Sequence, residues 1–382
     1  MIMNNDNKQS LELHKKLSGK IAITGTTPVT NAQELALVYT PGVGAVSSHL
    51  AEHPDEVRDY TWKGNTVAIV SDGSAVLGLG NIGPMAVMPV LEGKSAILRD
   101  FANMNMIPIA LDTQDTEEII KTVRNIAVGF GGIILEDISA PRCFEIEERL
   151  KEILDIPVIH DDQHGTAIVV LAGLINSLKV VDKNKEDVSV LINGAGAAGV
   201  AITKLLDHAG FKKLCVVDSQ GAITKERDNL NEIKKQLLPF AHCISSGQLT
   251  DAIKNTDVFV GVSKGNILTR EMIQSMNSDP IVFALANPTP EIDYDSAISA
   301  GATVVATGRS DFPNQINNAL VFPGLIKGVL SARLTQVTSD LFISTAMALA
   351  GLIEPTADKI LPDIFDTRLV STISQTITDS VQ

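Results

Sequence analysis

Over most of the chain, short apolar runs alternate with longer segments whose apolar residues recur at helical spacing. Residues 66–70, 107–111, 132–135 and 156–159 read as buried strands. Helical patterns follow at 85–91, 116–128, 141–154 and 166–181, the third with Pro141 in its first turn. The alternation resumes with strands at 188–192, 214–217, 258–262, 281–285 and 303–306, and the last 60 residues read as helices. Strand and helix in strict turn predict an α/β protein built on mostly parallel sheets. Two domains are expected, residues 1–162 and residues 163–382, tied by the 166–181 helix because no Gly/Ser-rich linker separates them. Residues 10–60 mix helix and loop. There an apolar run ends in Tyr39-Thr40-Pro41-Gly42-Val43-Gly44, a turn that puts Tyr39 at an element's end, where a tyrosine usually belongs to the core.

Composition narrows this picture. A chain of 382 residues with 45% hydrophobic and 20% charged positions suits two ordinary globular domains. Its net charge of −14, without a Lys/Arg-rich block, excludes a nucleic-acid partner. The polar opening residues lack a signal-peptide core, and the apolar stretches at 167–175 and 346–353 are too short to span a bilayer, so no membrane partner and a cytoplasmic location are expected. The three cysteines, Cys143, Cys215 and Cys243, show no metal or redox spacing and are expected as reduced, buried thiols.

The second half carries the clearest chemical motif. Strand 188–192 runs into Asn193-Gly194-Ala195-Gly196-Ala197-Ala198-Gly199, a helical run to His208 follows, and the next strand ends in Asp218. Gly194, Gly196 and Gly199 provide the turn and the phosphate approach, Ala197 and Ala198 open a helix toward the pyrophosphate, and Asp218 suits ribose hydroxyls. This defines a Rossmann-type, doubly wound NAD-binding domain. An acid here repels a 2′-phosphate, which favours NAD over NADP, although Lys225 and Arg227 lie close by. An earlier Gly-x-Gly-x-x-Gly at Gly78, Gly80 and Gly83 is rejected as a nucleotide loop, because proline follows and no acid closes a second strand.

In the first half, two strands end in acidic residues: Glu136-Asp137, and His160-Asp161-Asp162-Gln163-His164-Gly165-Thr166. Carboxylates converging at strand ends need a shared proton or a hard cation such as Mg²⁺ or Mn²⁺, while Glu136 and Asp162 could equally cap the following helices. Lys94, at the end of the 85–91 helical pattern, reads either as a partner of the helix dipole or, beside a metal, as a base of lowered pKa. Asn287 before Pro288, and the Asn314 to Asn318 segment, bring amides to the expected cofactor edge, either for turn geometry or for ligand contact.

Taken in order, the Tyr39 to Gly44 segment, Ser71-Asp72-Gly73 with Leu77-Gly78-Leu79-Gly80, Glu136-Asp137, the His160 to Thr166 segment, and Asn317-Asn318 with Phe322-Pro323-Gly324 resemble the short bacterial branch of the malic enzymes over residues 20–330. The resemblance implies an N-terminal substrate and metal domain ahead of the NAD-binding domain. It also implies oxidative decarboxylation of L-malate to pyruvate and CO₂, with NAD or NADP and Mg²⁺ or Mn²⁺. Glu136, Asp137 and Asp162 would be metal ligands with Asp161 supporting them, Lys94 the base, Tyr39 the acid, and Asn287 and Asn318 contacts to malate and the nicotinamide. Larger animal-type relatives place an arginine where this chain has Ala75, which leaves the carboxylate anchor unassigned. A homodimer or larger assembly is also implied. Malolactic conversion of malate to lactate, and a non-catalytic NAD sensor, are the competing readings.

Overall fold

The computed structural model describes residues 5–76, 78–243 and 247–381; residues 1–4 of the polar opening, Leu77 of the glycine-dense passage and residue 382 lie outside them. Four strands, β1 (Thr66–Ser71), β2 (Asn105–Ala110), β3 (Gly132–Leu135) and β4 (Val158–His160), form an all-parallel sheet in the order β2-β1-β3-β4. Six more form the second sheet: β5 (Ser189–Asn193), β6 (Lys213–Asp218), β7 (Gly221–Ala222), β8 (Val258–Gly261), β9 (Ile281–Ala284) and β10 (Val304–Thr307), in the order β10-β9-β8-β5-β6-β7. Only the short β7, which the apolar pattern does not announce, runs antiparallel to its neighbour. Strand order reverses between β1 and β3 in one sheet and between β5 and β8 in the other. Such switch points leave crevices at the strands' C-terminal ends.

The two sheets meet on the helix Asp161–Val180. Five consecutive residues, Ile168 to Ala172, are buried, so this helix is covered on all sides rather than on one stripe. It shares one apolar core with Val67 and Ile69 of β1 and with Val190 and Ile192 of β5. Gly173 lets it close on β9, since a Cβ there would lie 3.3 Å from the Phe283 ring.

Two expectations about elements need correction. The helix carrying Lys94 does not end there but spans Pro84–Ala102, with Leu91, Leu98 and Ala102 continuing its buried face and Ser95 bonding back to Leu91; packing overrides the break suggested by Gly93. The thiols are not all reduced: Cys215 on β6 and Cys243 form a disulfide with Cα atoms 4.5 Å apart. A bridge between Leu214 and Ala241 brings the later segment alongside β6, a contact that residue spacing does not reveal. Cys143 remains a buried thiol, pushed up to about 12 mainly by burial.

Candidate active site

Both acidic clusters lie at the C-terminal ends of β3 and β4, beside the switch point of the first sheet. Glu136 follows β3 directly, and its amide continues the ladder to Val70 of β1. Asp137 takes a left-handed backbone (φ 53°), and its amide donates to Asp162 Oδ2 at 2.8 Å, so one turn aims both side chains into the same space. Oxygen atoms of Glu136, Asp137 and Asp162 lie within 4.8 Å of one another. Burial, reinforced by Asp162, pushes the Glu136 carboxyl well above its ordinary range. Buried Asp161 Oδ1 has no hydrogen-bond partner. An all-oxygen set of three crowded carboxylates fits Mg²⁺ or Mn²⁺, whose charge would offset the crowding.

Lys94 reaches across from the helix Pro84–Ala102. Its Nζ donates to Glu136 at 2.7 Å and to Asp161 Oδ2, and it lies 5.4 Å from the Phe322 ring centre. Burial alone would lower its pKa, but Asp161 and Glu136 outweigh burial and raise it. The neighbouring carboxylates thus favour the charged ammonium, and a cation among them would act in the opposite direction. Asp161 itself depends on Gly165 one turn later, because a Cβ there would come within 2.1 Å of Asp161 Oδ1.

The dinucleotide motif is folded as its spacing predicts. Gly194 has positive φ and presses against the Val262 carbonyl after β8, while a Cβ on Gly199 would meet the Gly194 carbonyl at 1.8 Å. Nothing lies within 4 Å of the Cβ position of Gly196, which leaves room for a ligand at the first turn of the helix Ala197–His208. A cavity of about 610 Å³ runs from Gly194 and Gly196 to Asp218. Asp218 is not a bare acid. Arg227 donates to both of its oxygens, at 2.9 and 3.2 Å, and Lys234 donates to Oδ2 at 2.7 Å. Burial opposes ionisation, but these two cations hold the carboxyl below its usual range.

A second cavity, of about 530 Å³, joins the halves of the molecule. Lys94, Glu136, Asp137, Asp162, Gly196, Ala197, Ala198, Asn287 and Asn318 all line it. Gly78 is needed here for a reason other than phosphate binding: it has positive φ, and a Cβ would meet the Asn287 carbonyl at 2.0 Å. The rejected glycine loop thus braces the Asn287-Pro288 turn. Tyr39 is the one expected site residue kept apart. It ends the helix Ala32–Val38, as its sequence position suggests, but is 66% exposed rather than part of the core, and it does not line the cavity.

Two supporting residues escape sequence reasoning. Glu291 is fully buried and accepts from the Ala286 amide at 3.0 Å and the Ser263 amide at 3.2 Å, fixing two loops of the cavity wall. Glu147 receives the His160 amide, Gln163 Nε2 and His164 Nε2, and so anchors the acidic motif from behind. Neither an acid inside an amphipathic helix, as Glu147 is, nor one in a loop after a strand, as Glu291 is, announces such a role.

Clustered carboxylates set against a doubly wound nucleotide fold, with a lysine between them, define a dinucleotide-dependent oxidoreductase architecture. Family profiles described as the malic enzyme N-terminal domain and the malic enzyme NAD-binding domain match residues 18–117 and 163–381. The chain belongs to the malic enzyme family. It is 48% identical over 375 residues to a bifunctional malic/malolactic enzyme of Bacillus subtilis, covering 97% of this chain and 92% of the relative. It is 49% identical over 368 residues to an NAD-dependent malic enzyme of Geobacillus stearothermophilus, covering 95% and 77% respectively. The crystal structure of an NAD-dependent malic enzyme from Thermotoga maritima superposes with a TM-score of 0.94 at 45% identity, covering 97% of this chain and 98% of that one.

Proposed function

We propose that this protein catalyses the oxidative decarboxylation of L-malate to pyruvate and CO₂ with reduction of NAD. Residues 1–162 form the substrate and metal domain, residues 163–382 form the NAD-binding domain, and the chain works as a cytoplasmic homodimer or larger homo-oligomer. The observation that carries this reading is the single cavity lined by Lys94, the three clustered carboxylates, the nucleotide turn and two asparagines. Glu136, Asp137 and Asp162 would hold Mg²⁺ or Mn²⁺, which supplies Lewis acidity and offsets the negative charge around Lys94. Asp161 orients the Lys94 amine, which takes the proton of the C2 hydroxyl as hydride leaves C2 for the nicotinamide. Loss of CO₂ breaks the C3–C4 bond, and the Tyr39 hydroxyl returns a proton to C3. Asn287 and Asn318 orient malate and the nicotinamide edge through their amides.

Asp218 selects NAD, but with both carboxylate oxygens held by Arg227 and Lys234 its repulsion of a 2′-phosphate is weakened, so NADP is a poorer substrate rather than an excluded one. A second reading has one supporting observation, the bifunctional malic/malolactic relative: net conversion of malate to lactate with the cofactor retained. Incubating the protein with L-malate, Mn²⁺ and either cofactor while following reduced-cofactor absorbance, then assaying products, separates the two. Pyruvate equimolar with reduced cofactor, abolished by a chelator, supports the malic enzyme reaction. Lactate without net reduced cofactor supports the malolactic one. Retained NAD binding without any product would sink both and leave a sensor.

A further inference from the structure

The disulfide between Cys215 and Cys243 lies behind the wall of the nucleotide cavity. Cys215 stands in β6, the strand that ends in Asp218. Cys243 follows Ala241 and His242, which run alongside β6, the His242 amide donating to the Leu214 carbonyl at 2.6 Å. Both cysteines pack on an apolar cluster that includes Val217, Ala222, Ile253 and Ile273. Leu249 and Met272 pack on the same cluster, and both also line the cavity of about 610 Å³ that reaches Asp218. That part of the wall has little to hold it by itself. The helix Leu249–Ala252 is a single turn without a side-chain cap, too short to be stable on its own hydrogen bonds. Two contacts tie the chain just before it to the turn after β6: the Gly247 carbonyl accepts from the Ala222 amide at 3.0 Å, and Gln248 Nε2 donates to the Gln220 carbonyl at 3.2 Å. The covalent bond is the strongest link between β6 and this wall. Both of its cysteines are half-buried, whereas Cys143 is fully buried.

We propose that Cys215 and Cys243 form a reversible redox site that sets the affinity of this cavity for the dinucleotide, tight when they are joined and weaker when they are reduced. The inference rests on the reading that this cavity holds NAD. A dithiol is the reductant. One of its thiolates attacks the sulfur of one cysteine, which breaks the Sγ–Sγ bond and forms a mixed disulfide. Its second thiolate then closes on the first and expels the cysteine, so the protein gains two electrons and two protons and the dithiol leaves as its own disulfide. Oxidation needs a low-molecular-weight disulfide such as oxidised glutathione. One cysteine thiolate displaces the first glutathione as a thiol, and the other cysteine displaces the second. In a reducing compartment the pair is then read as a balance with the surrounding thiols rather than as a permanent bridge. Once the bond is broken, the wall samples positions in which Leu249 and Met272 no longer face the cofactor, and apparent affinity falls with the competent fraction.

The test measures thiols and NAD binding on the full chain, without turnover. The protein is equilibrated with oxidised glutathione or with dithiothreitol, its free thiols are counted after denaturation, and NAD is titrated into the native protein by calorimetry. The oxidised form should show one free thiol and the reduced form all three cysteines. Reduction should weaken the Kd for NAD at least about threefold. Cys243→Ser should bind NAD as weakly as the reduced protein and ignore dithiothreitol, and Cys215→Ser serves in its place should that variant not fold. Three free thiols after treatment with oxidised glutathione would overturn the site. Equal Kd values in the two forms, with the bond verified by the thiol count, would make the disulfide a staple and overturn its control of affinity. A serine variant that still loses affinity with dithiothreitol would place the effect elsewhere and overturn the proposal as well. Absence of NAD binding in every form would sink the reading of the cavity itself and the redox site with it.

Discussion

At the scale of single residues, charge is decided by neighbours rather than by residue type. An aspartate at the end of the second strand of a dinucleotide fold favours NAD over NADP, yet Asp218 is bracketed by Arg227 and Lys234. Asp218→Asn should therefore raise kcat/KM for NADP by about tenfold, equivalent to about 1.4 kcal/mol, and lower that for NAD. Steady-state kinetics with both cofactors checks the shift, and an unchanged ratio would remove Asp218 from cofactor choice. The sequence exposed the acid and the nearby Arg227 but not Lys234, which lies 16 residues beyond the acid in a helix of its own. Gly165 is comparable. Its place in the acidic motif was visible, while its reason, room for Asp161 Oδ1, needed coordinates. Gly165→Ala should turn Asp161 away from Lys94 and reduce kcat by more than about tenfold, with a stability loss of about 1–3 kcal/mol typical of overpacking. Thermal melting run beside the kinetics separates the two effects.

At the scale of elements, nine of the ten strands could be read as apolar runs ended by turn residues, because strands of parallel sheets are buried on both faces. β7 could not, since two residues carry no pattern. The helix through Lys94 was read too short because a glycine at its centre looks like an end when packing is invisible. Loops are where most of the site was hidden. The turns after β8 and β9 are joined by Glu291, which is distant in sequence from Ser263, and Gly261 exists as glycine because a Cβ would stand 2.4 Å from Glu291 Cδ. Glu291→Ala should leave two amides unpaired, each costing about 1–3 kcal/mol, and should raise KM for cofactor and malate more than it lowers kcat. If KM values hold while only the melting temperature falls, Glu291 is a stabilising residue with no part in shaping the site.

At the scale of the whole molecule, the buried charge network predicts how the protein meets acid. Burial opposes ionisation of Glu147, but His164 and Lys151 overcome it and hold its carboxyl well below the ordinary range. A carboxyl with a depressed folded-state pKa contributes stability that is present above its unfolded pKa and is lost as pH falls below it. The melting temperature should therefore drop on acidification below about pH 4.3, where the unfolded chain takes up the proton first. Glu147→Gln should melt lower at pH 7 and show a shallower acid slope, which calorimetry across pH 3 to 7 would reveal; parallel slopes would contradict the assignment.

The helix Asp161–Val180 sets a limit on how the molecule can move. Its body is sealed into the core of both sheets, and its first turn carries Asp161 and Asp162. Any rocking of the nucleotide half against the other must turn this helix like an axle and swing its acidic end with it. Closing the cleft and setting the cation's ligands would then be one motion, so that a poorly fitting acid that props the halves apart also leaves the carboxylates out of place.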